Sequence, residues 1–192
     1  FVKFELKDDI SDNAPELSAK KVFIVIWTTT PWTLPANMGV ALHPEFNYSA
    51  VEAENGEVYI LATDLVKECM KTFDIENYSV LAAINPLDLE NKHCRHPLYD
   101  QTSLIVLGDH VTLETGTGCV HTAPGHGRED FEVGNKYGLD AYSPVKDNGC
   151  FTDEVGLFAG KFVFKADHPF AFAIVDRSHN DLLFLGALVK PS

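Results

Sequence analysis

A mixed α/β, β-rich domain is the fold class that the sequence predicts: a closed or nearly closed β-barrel core carrying two or three peripheral helices. Three observations point to it. Short apolar runs of strand length recur along the whole chain, while helical periodicity is confined to three segments. Apolar residues make up 45% of the chain and include thirteen Phe, enough for a real core. With 192 residues, a single domain spanning 1–192 is the simplest organisation.

The elements follow in order. "VKFEL" (2–6) alternates as a strand does, and "LKDDISDNAPELSAKK" (6–21) reads as a polar connection. "KVFIVIW" (21–27) is continuous and β-branched, so it should be buried on both faces. "FNYSAVEA" (46–53) and "VYILA" (58–62) form a hairpin turning at Asn55-Gly56, two residues that tolerate positive φ. "YSVLAAI" (78–84), "TSLIVLG" (102–108), "GCVHTA" (118–123), "KFVFK" (161–165) and "DLLFLGALV" (181–189) complete the strands. In "TDLVKECMKTF", Leu65, Val66, Cys69, Met70 and Phe73 share a helical face, capped by Thr63 or Asp64. "REDFEVGNKYG" (128–138) is a helix with acids in its first turn and Gly138 at its end. "DHPFAFAIVDRSH" (167–179) has an Asp cap and an early proline, the start of a third helix.

The formal charge is −13. Phosphate neutralisation supplies most non-specific nucleic-acid affinity, so an acidic domain that touches nucleic acid should touch only a few nucleotides. Solubility is the plain reading of the same charge. No run approaches the roughly eighteen apolar residues of a membrane span, and no signal peptide opens the chain. Beginning inside a strand, the chain reads as a piece of a longer polypeptide. Cys69, Cys94, Cys119 and Cys150 are too widely spaced for a zinc or disulfide framework and are expected as free thiols in a reducing, cytoplasmic compartment.

Two stretches carry chemistry. In "IWTTTPWTLPAN" (26–37), Pro31 cannot donate a ladder hydrogen bond, so Thr28, Thr29 and Thr30 stand at a strand end. Alternation turns Thr28 and Thr30 to one side unless a bulge re-aims them. Such hydroxyls can hold a water or a polar substrate, and Trp32 adds a flat wall. Ordinary sheet threonines beside a core tryptophan would read the same way. In "GTGCVHTAPGHGRED" (116–130), strand alternation places Cys119 and His121 on one face, and a glycine turn leads into a helix. Glu129 is expected as an ordinary first-turn acid. Asp130 could also be that. His121, His126 and Asp130, or His93, Cys94 and His96, are ligand types zinc accepts, but no H-E-x-x-H pattern joins them, and "HCRH" reads as a polar loop. No metal is expected. Neither a G-x-S-x-G elbow nor a P-loop is present.

"WTTTPWTLPAN" together with "GTGCVHTAPGHGREDFEVGNKYGL" resembles the editing domain of isoleucyl-tRNA synthetase, the insertion called connective polypeptide 1. "LGDHVTLE" and "GKFVFKAD" are also family-like, and the resemblance covers nearly the whole chain. It implies an ester hydrolase that removes valine from mischarged Val-tRNA(Ile) in a second, smaller pocket that excludes isoleucine. One methylene is worth only ~1–3 kcal/mol to a pocket, a range for which isoleucine-activating synthetases are themselves the standard example. On matching positions, Asp130 looks like the carboxylate that binds the substrate ammonium, which favours function over capping there. Thr28, Thr29 and Thr30 look like the group that orients ester and water. His121 looks like the side-chain gauge, and Trp32 and Thr33 like residues that shape the pocket and hold adenosine. No general base is assigned, and a neighbouring ribose hydroxyl is an alternative source of assistance. Implied partners are the 3′ end of tRNA(Ile), valyl-adenylate, and the synthetase body, whose ATP and Mg do not extend to this domain. The rival reading is a non-catalytic barrel that binds a nucleotide or a partner.

Overall fold

The computed structural model describes residues 1–163 and the backbone of 170–176 and 181–188. The chain divides into two compact units, residues 1–143 and 144–192.

In the first unit, β1 (Val2–Glu5), β2 (Val22–Ile26), β4 (Tyr48–Ala53), β5 (Val58–Ala62) and β6 (Tyr78–Ile84) form a sheet in the order β1-β2-β5-β4-β6. β3 (Gly39–Leu42), β7 (His93–Arg95), β8 (Thr102–Leu107) and β9 (Cys119–Thr122) form another in the order β7-β8-β3-β9. Two pairs are parallel, β2 with β5 and β3 with β8, and the other ladders are antiparallel. β2 is buried at all five positions because strands flank it and side chains cover both faces. Its Ile24 and Ile26 join Phe4, Ile60, Leu61 and Met70 in the main core. Burying such a side chain is worth ~1.5–3 kcal/mol, so Ile24→Ala should cost about 2–5 kcal/mol.

A continuous barrel ladder is not found among the described residues. The sheets are instead joined by isolated links. Leu6, just past the end of β1, bridges Cys94 of β7, and Ala62 N donates to Thr117 O at 2.9 Å. Short strands ending at turns give single bridges where a barrel would need full ladders. β6 leaves most of its residues exposed or half-buried along the sheet edge.

Several local expectations are corrected. The connection after β1 is not merely polar: it buries Ile10, Ala14 and Leu17, with a 3-10 turn at Pro15–Leu17. In the β4–β5 hairpin only Gly56 has positive φ, at 77°. Asn55 instead accepts from Glu57 N through its side chain, and Gly56 N donates to Ala53 O. α1 (Val66–Thr72), preceded by a 3-10 turn at Thr63–Leu65, has no side-chain cap from Thr63 or Asp64. The Thr63 hydroxyl pairs with Ser49 Oγ instead. The "HCR" of the expected polar loop is strand β7, which follows α2 (Pro86–Leu89) and buries Cys94 between exposed His93 and Arg95. β3 was not anticipated, because "GVAL" is short and poor in β-formers, and it owes its place to pairing on both sides. The four cysteines are unpaired and buried.

α3 (Arg128–Tyr137) ends on Gly138 as expected. Val133, Tyr137 and Leu139 pack on Ala41, Val106 and Val111, which docks the helix on the four-stranded sheet.

In the second unit, Val145 bridges Phe151 and Cys150 bridges Phe162 around a 3-10 segment at Asp153–Phe158. Of "KFVFK", residues 161–163 make this bridge and backbone hydrogen bonds to Gly149, Phe151 and Phe158 without forming a named strand, and residues 164 and 165 lie outside the described residues. The helix expected over 167–179 is overturned. β10 (Phe170–Asp176) pairs antiparallel with β11 (Asp181–Leu188), from Phe170 opposite Leu188 to Asp176 opposite Asp181. "FAFAIVD" alternates and is rich in aromatic and β-branched residues, and a cross-strand partner outweighs a local cap-and-proline signal. Residues 167–169 and 177–179 lie outside the described residues.

Candidate active site

Where β2 ends, Trp27, Thr28, Thr29 and Thr30 run to a 3-10 turn at Pro31–Ala36. Thr28 Oγ1 accepts from Thr30 N at 3.0 Å and lies 3.3 Å from Thr30 Oγ1. The two hydroxyls therefore share a side, through this local turn and not through strand alternation, because β2 ends at Ile26.

β9 stands across from them, held by β3 with His121 opposite Val40. α3 brings Asp130 from its first turn, and Asp130 Oδ2 accepts the Ala123 N–H at 3.0 Å. That bond bends the carboxylate back toward the end of β9. Its other oxygen accepts nothing among the described residues.

Thr28, Thr29, Thr30, His121 and Asp130 together line one hollow of about 330 Å³. Asp130 is the one acidic side chain in that lining among the described residues. The hollow also takes the turn Gly116–Gly118 that opens the second motif, and Trp27, His110, Thr112 and Thr115, which sequence reasoning did not single out. Gly118 is required where it stands. It has φ of 73°, and a Cβ on it would sit 2.3 Å from Ala62 Cβ at the end of β5.

Trp32 and Thr33 do not line the hollow. Trp32 is 40% exposed and meets the His126 ring edge-on at 5.5 Å. Thr33 is buried behind the wall, donates from Oγ1 to Thr30 O at 2.9 Å, and lies 3.1 Å from His121 Nε2. Glu129 lies instead in a groove with Asp109, His110 and Glu132. His93 pairs with Asp8, while His96 is buried against Leu34 O, so the "HCRH" ligand types point apart. Among the described residues, no group of three or more His, Cys, Asp or Glu could hold a metal ion.

Burial is the main influence on the titrating groups of the wall. It pushes the His121 pKa below the ordinary 6.5, and the nearby Asp130 carboxylate only partly offsets it. His126 is lowered for the same reason. The Cys119 thiol is pushed up by burial, with the Cys69 and Cys94 thiols adding to it. A thiol so hard to ionise is no ready nucleophile. What remains is a polar, hydroxyl-rich niche with one carboxylate and two histidine rings, His110 and His121, a set suited to holding a small cationic, ester-bearing group.

Comparison with known proteins gives the chain's family. The profile of the family described as "Leucyl-tRNA synthetase, editing domain" matches residues 14–155. The chain belongs to this family of aminoacyl-tRNA synthetase editing domains. Among its relatives, the isoleucine–tRNA ligase of Desulfotalea psychrophila is 51% identical over 85% of this chain and 17% of the ligase. That of Caldicellulosiruptor saccharolyticus is 53% identical over 84% of this chain and 18% of the ligase. The chain thus spans under a fifth of the length of these relatives. The fold matches the crystal structure of GlLeuRS-CP1 with a TM-score of 0.60 at 21% identity, over 73% of this chain and 64% of that one. It matches the Plasmodium knowlesi cytosolic leucyl-tRNA synthetase editing domain with a TM-score of 0.59 at 12% identity, over 71% and 63% of the two chains. No helix among the described residues is long and apolar enough to cross a membrane.

Proposed function

We propose that the hollow hydrolyses the ester joining valine to the 3′ end of tRNA(Ile), as a second pocket too small for isoleucine. The convergence of Thr28–Thr30, His121 and Asp130 on one hollow is the observation that supports this most directly. The substrate ammonium pairs with the Asp130 carboxylate, a charge-assisted contact stronger than a neutral hydrogen bond. The threonine hydroxyls orient the ester carbonyl and a water. Water attacks the carbonyl carbon, the bond to the ribose oxygen breaks, and that oxygen leaves with a proton from the water. The ester is already activated, so placement and oxyanion stabilisation suffice without a covalent nucleophile. His121 gauges the side chain, since packed walls yield little to an extra methylene. Trp32, exposed beside His126, is available to the adenosine, while Thr33 acts from behind the wall.

The same reading gives the domain its setting. The tRNA end is its ligand, valyl-adenylate is a second candidate substrate, and the synthetase body, with ATP and Mg in its own site, grips the rest of the tRNA in the cytoplasm. The −13 charge suits a domain that meets only that end.

Deacylation of Val-tRNA(Ile) and Ile-tRNA(Ile) tests the proposal. The valyl ester should be cleaved and the isoleucyl ester spared. Asp130→Ala should abolish cleavage, and His121→Ala should admit isoleucine. Binding of Val-tRNA without any cleavage would leave a non-catalytic nucleotide-binding module, and inhibition by a chelator would point to a metal-dependent hydrolase.

A further inference from the structure

Three consecutive carbonyl oxygens, in the turn just before β9, are held by the main core. Gly116 O accepts from the Cys69 thiol at 3.3 Å, Thr117 O from Ala62 N at 2.9 Å, and Gly118 O from the Tyr48 hydroxyl at 2.7 Å. Cys69, Ala62 and Tyr48 belong to that core, and none of them lines the hollow. A trans peptide carries its N–H opposite its C=O. The Thr117 N–H shares a peptide with Gly116 O, and the Gly118 N–H shares one with Thr117 O. Both N–H groups therefore face the other side of the turn, away from Cys69 and Ala62. Neither has an acceptor among the described residues. The next N–H, that of Cys119, goes to Thr117 Oγ1 at 3.2 Å, and the same hydroxyl donates to Cys119 O at 3.2 Å. The Thr117 side chain is thus used up locally, and its N–H is what it offers the hollow. Thr117 is 1% exposed and Gly118 is buried. Buried backbone N–H groups are nearly always paired, so two adjacent unpaired ones in the wall of a hollow mark a donor site for a ligand. Positive φ at Gly116 and Gly118, 86° and 73°, lets the turn send its carbonyls to one side in this way.

We propose that the Thr117 and Gly118 N–H groups are an oxyanion hole: they bind the ester carbonyl oxygen and stabilise the charge it gains when water adds to its carbon. This rests on the hydrolytic reading above. As the water oxygen bonds to the carbonyl carbon, the π pair moves onto the carbonyl oxygen. When that pair returns, the bond to the ribose oxygen breaks, and the ribose oxygen leaves with a proton from the water. Among the described residues no Lys or Arg lines the hollow to meet the passing charge, and its one carboxylate would repel it. Two successive peptide N–H groups form a concavity that attracts an anion. Held from behind through their carbonyls, they need no rearrangement as the charge grows. Asp130 then takes the ammonium, and the turn takes the oxygen of opposite charge.

Amide NMR of the chain labelled with ¹⁵N tests the donor pair without turnover. The probe is a phosphonate analogue of valyl-adenosine, whose tetrahedral phosphorus carries an anionic oxygen where the carbonyl stood. The Thr117 and Gly118 amide protons should shift downfield on binding it, and should move less with the planar 3′-amide analogue. Glycolic acid in place of Gly118 exchanges the N–H for an ester oxygen. It should lower kcat on the valyl-adenosine ester about a hundredfold, the scale of one oxyanion donor, with KM little changed. Lactic acid in place of Ala62 removes only the anchor of Thr117 O and should cost much less. Thr117 and Gly118 amides that do not move with the phosphonate overturn the proposal. So does an unchanged kcat with glycolic acid at 118, or an equal loss with lactic acid at 62, which would make the turn merely structural. Should the chain with glycolic acid not fold, the shifts in the wild type decide. If the wild type cleaves no valyl ester while both amides shift with the phosphonate, the donor pair stands as an anion site and only the hydrolytic reading falls.

Discussion

His96 and His121 are both buried rings, and each lies on the same four-stranded side of the first unit, yet they are held in opposite ways. His96 Nε2 donates to Leu34 O at 3.0 Å, and its Nδ1 accepts from Leu98 N at 3.1 Å and Tyr99 N at 3.2 Å. Every polar atom of that ring is used by backbone. His121 spends one nitrogen on Thr33 and leaves the other without a partner, beside a hollow. Satisfied polar atoms organise a loop and face nothing. An orphaned one is costly, ~1–3 kcal/mol by the usual measure, and is tolerated where the surrounding wall has another task. Burial lowers both pKa values, so the shift does not separate the two. The partners do.

The largest effect that would sharpen this contrast is His96→Phe. It removes the donor to Leu34 O and the acceptor for the part-buried N–H groups of Leu98 and Tyr99, and should cost about 2–4 kcal/mol of stability in urea unfolding. Its valyl-to-isoleucyl preference should be unchanged in whatever fraction remains folded. Asp130→Asn should come next. It keeps an acceptor for Ala123 N but loses the charge, so cleavage should fall on the order of tenfold to a hundredfold with little change in the melting temperature. His121→Ala should cost less stability than His96→Phe, because one of its nitrogens contributes no bond, and should relax discrimination instead. Equal losses of stability from the two histidine variants would break the comparison.

Acid should give the smallest effect, and its sign follows from the lowered values. Both rings are neutral in folded and unfolded chains well above pH 6.5. As the pH falls through 6.5, the unfolded chain takes up protons that the folded one resists, so stability drops until the pH lies below the folded values. The melting temperature should therefore fall between about pH 7.5 and 5.5, and part of that fall should disappear in His96→Phe. For His96, protonation also removes the acceptor for Leu98 N and Tyr99 N.

Legibility in the sequence was uneven for physical reasons. β2 and β8 announce themselves as β-branched runs, and α3 by its first-turn acids and final glycine, because each is specified by its own residues. β3 was missed, since a Gly-Val-Ala-Leu segment becomes a central strand only when β8 and β9 flank it. At 167–179 a local helix signal was read, and the strand that exists there depends on a partner beginning at Asp181. Of the site, Thr28–Thr30, His121 and Asp130 were identifiable from two motifs, whereas His110, Thr112 and Thr115 were not, because nothing local marks a loop as a cavity wall.

The sequence by itself determined the apolar strands, the hydroxyl cluster halted by Pro31, and the strand–turn–helix that carries His121 and Asp130, because these follow from alternation, a missing N–H and glycine turns. Only the tertiary structure decided that Thr33 stands behind the wall and not in it, that His121 keeps one free lone pair while His96 keeps none, and that the strands of the first unit make two linked sheets in place of a continuous ladder. Each of those depends on which distant backbone groups come within hydrogen-bond range, and no local pattern of residues encodes that.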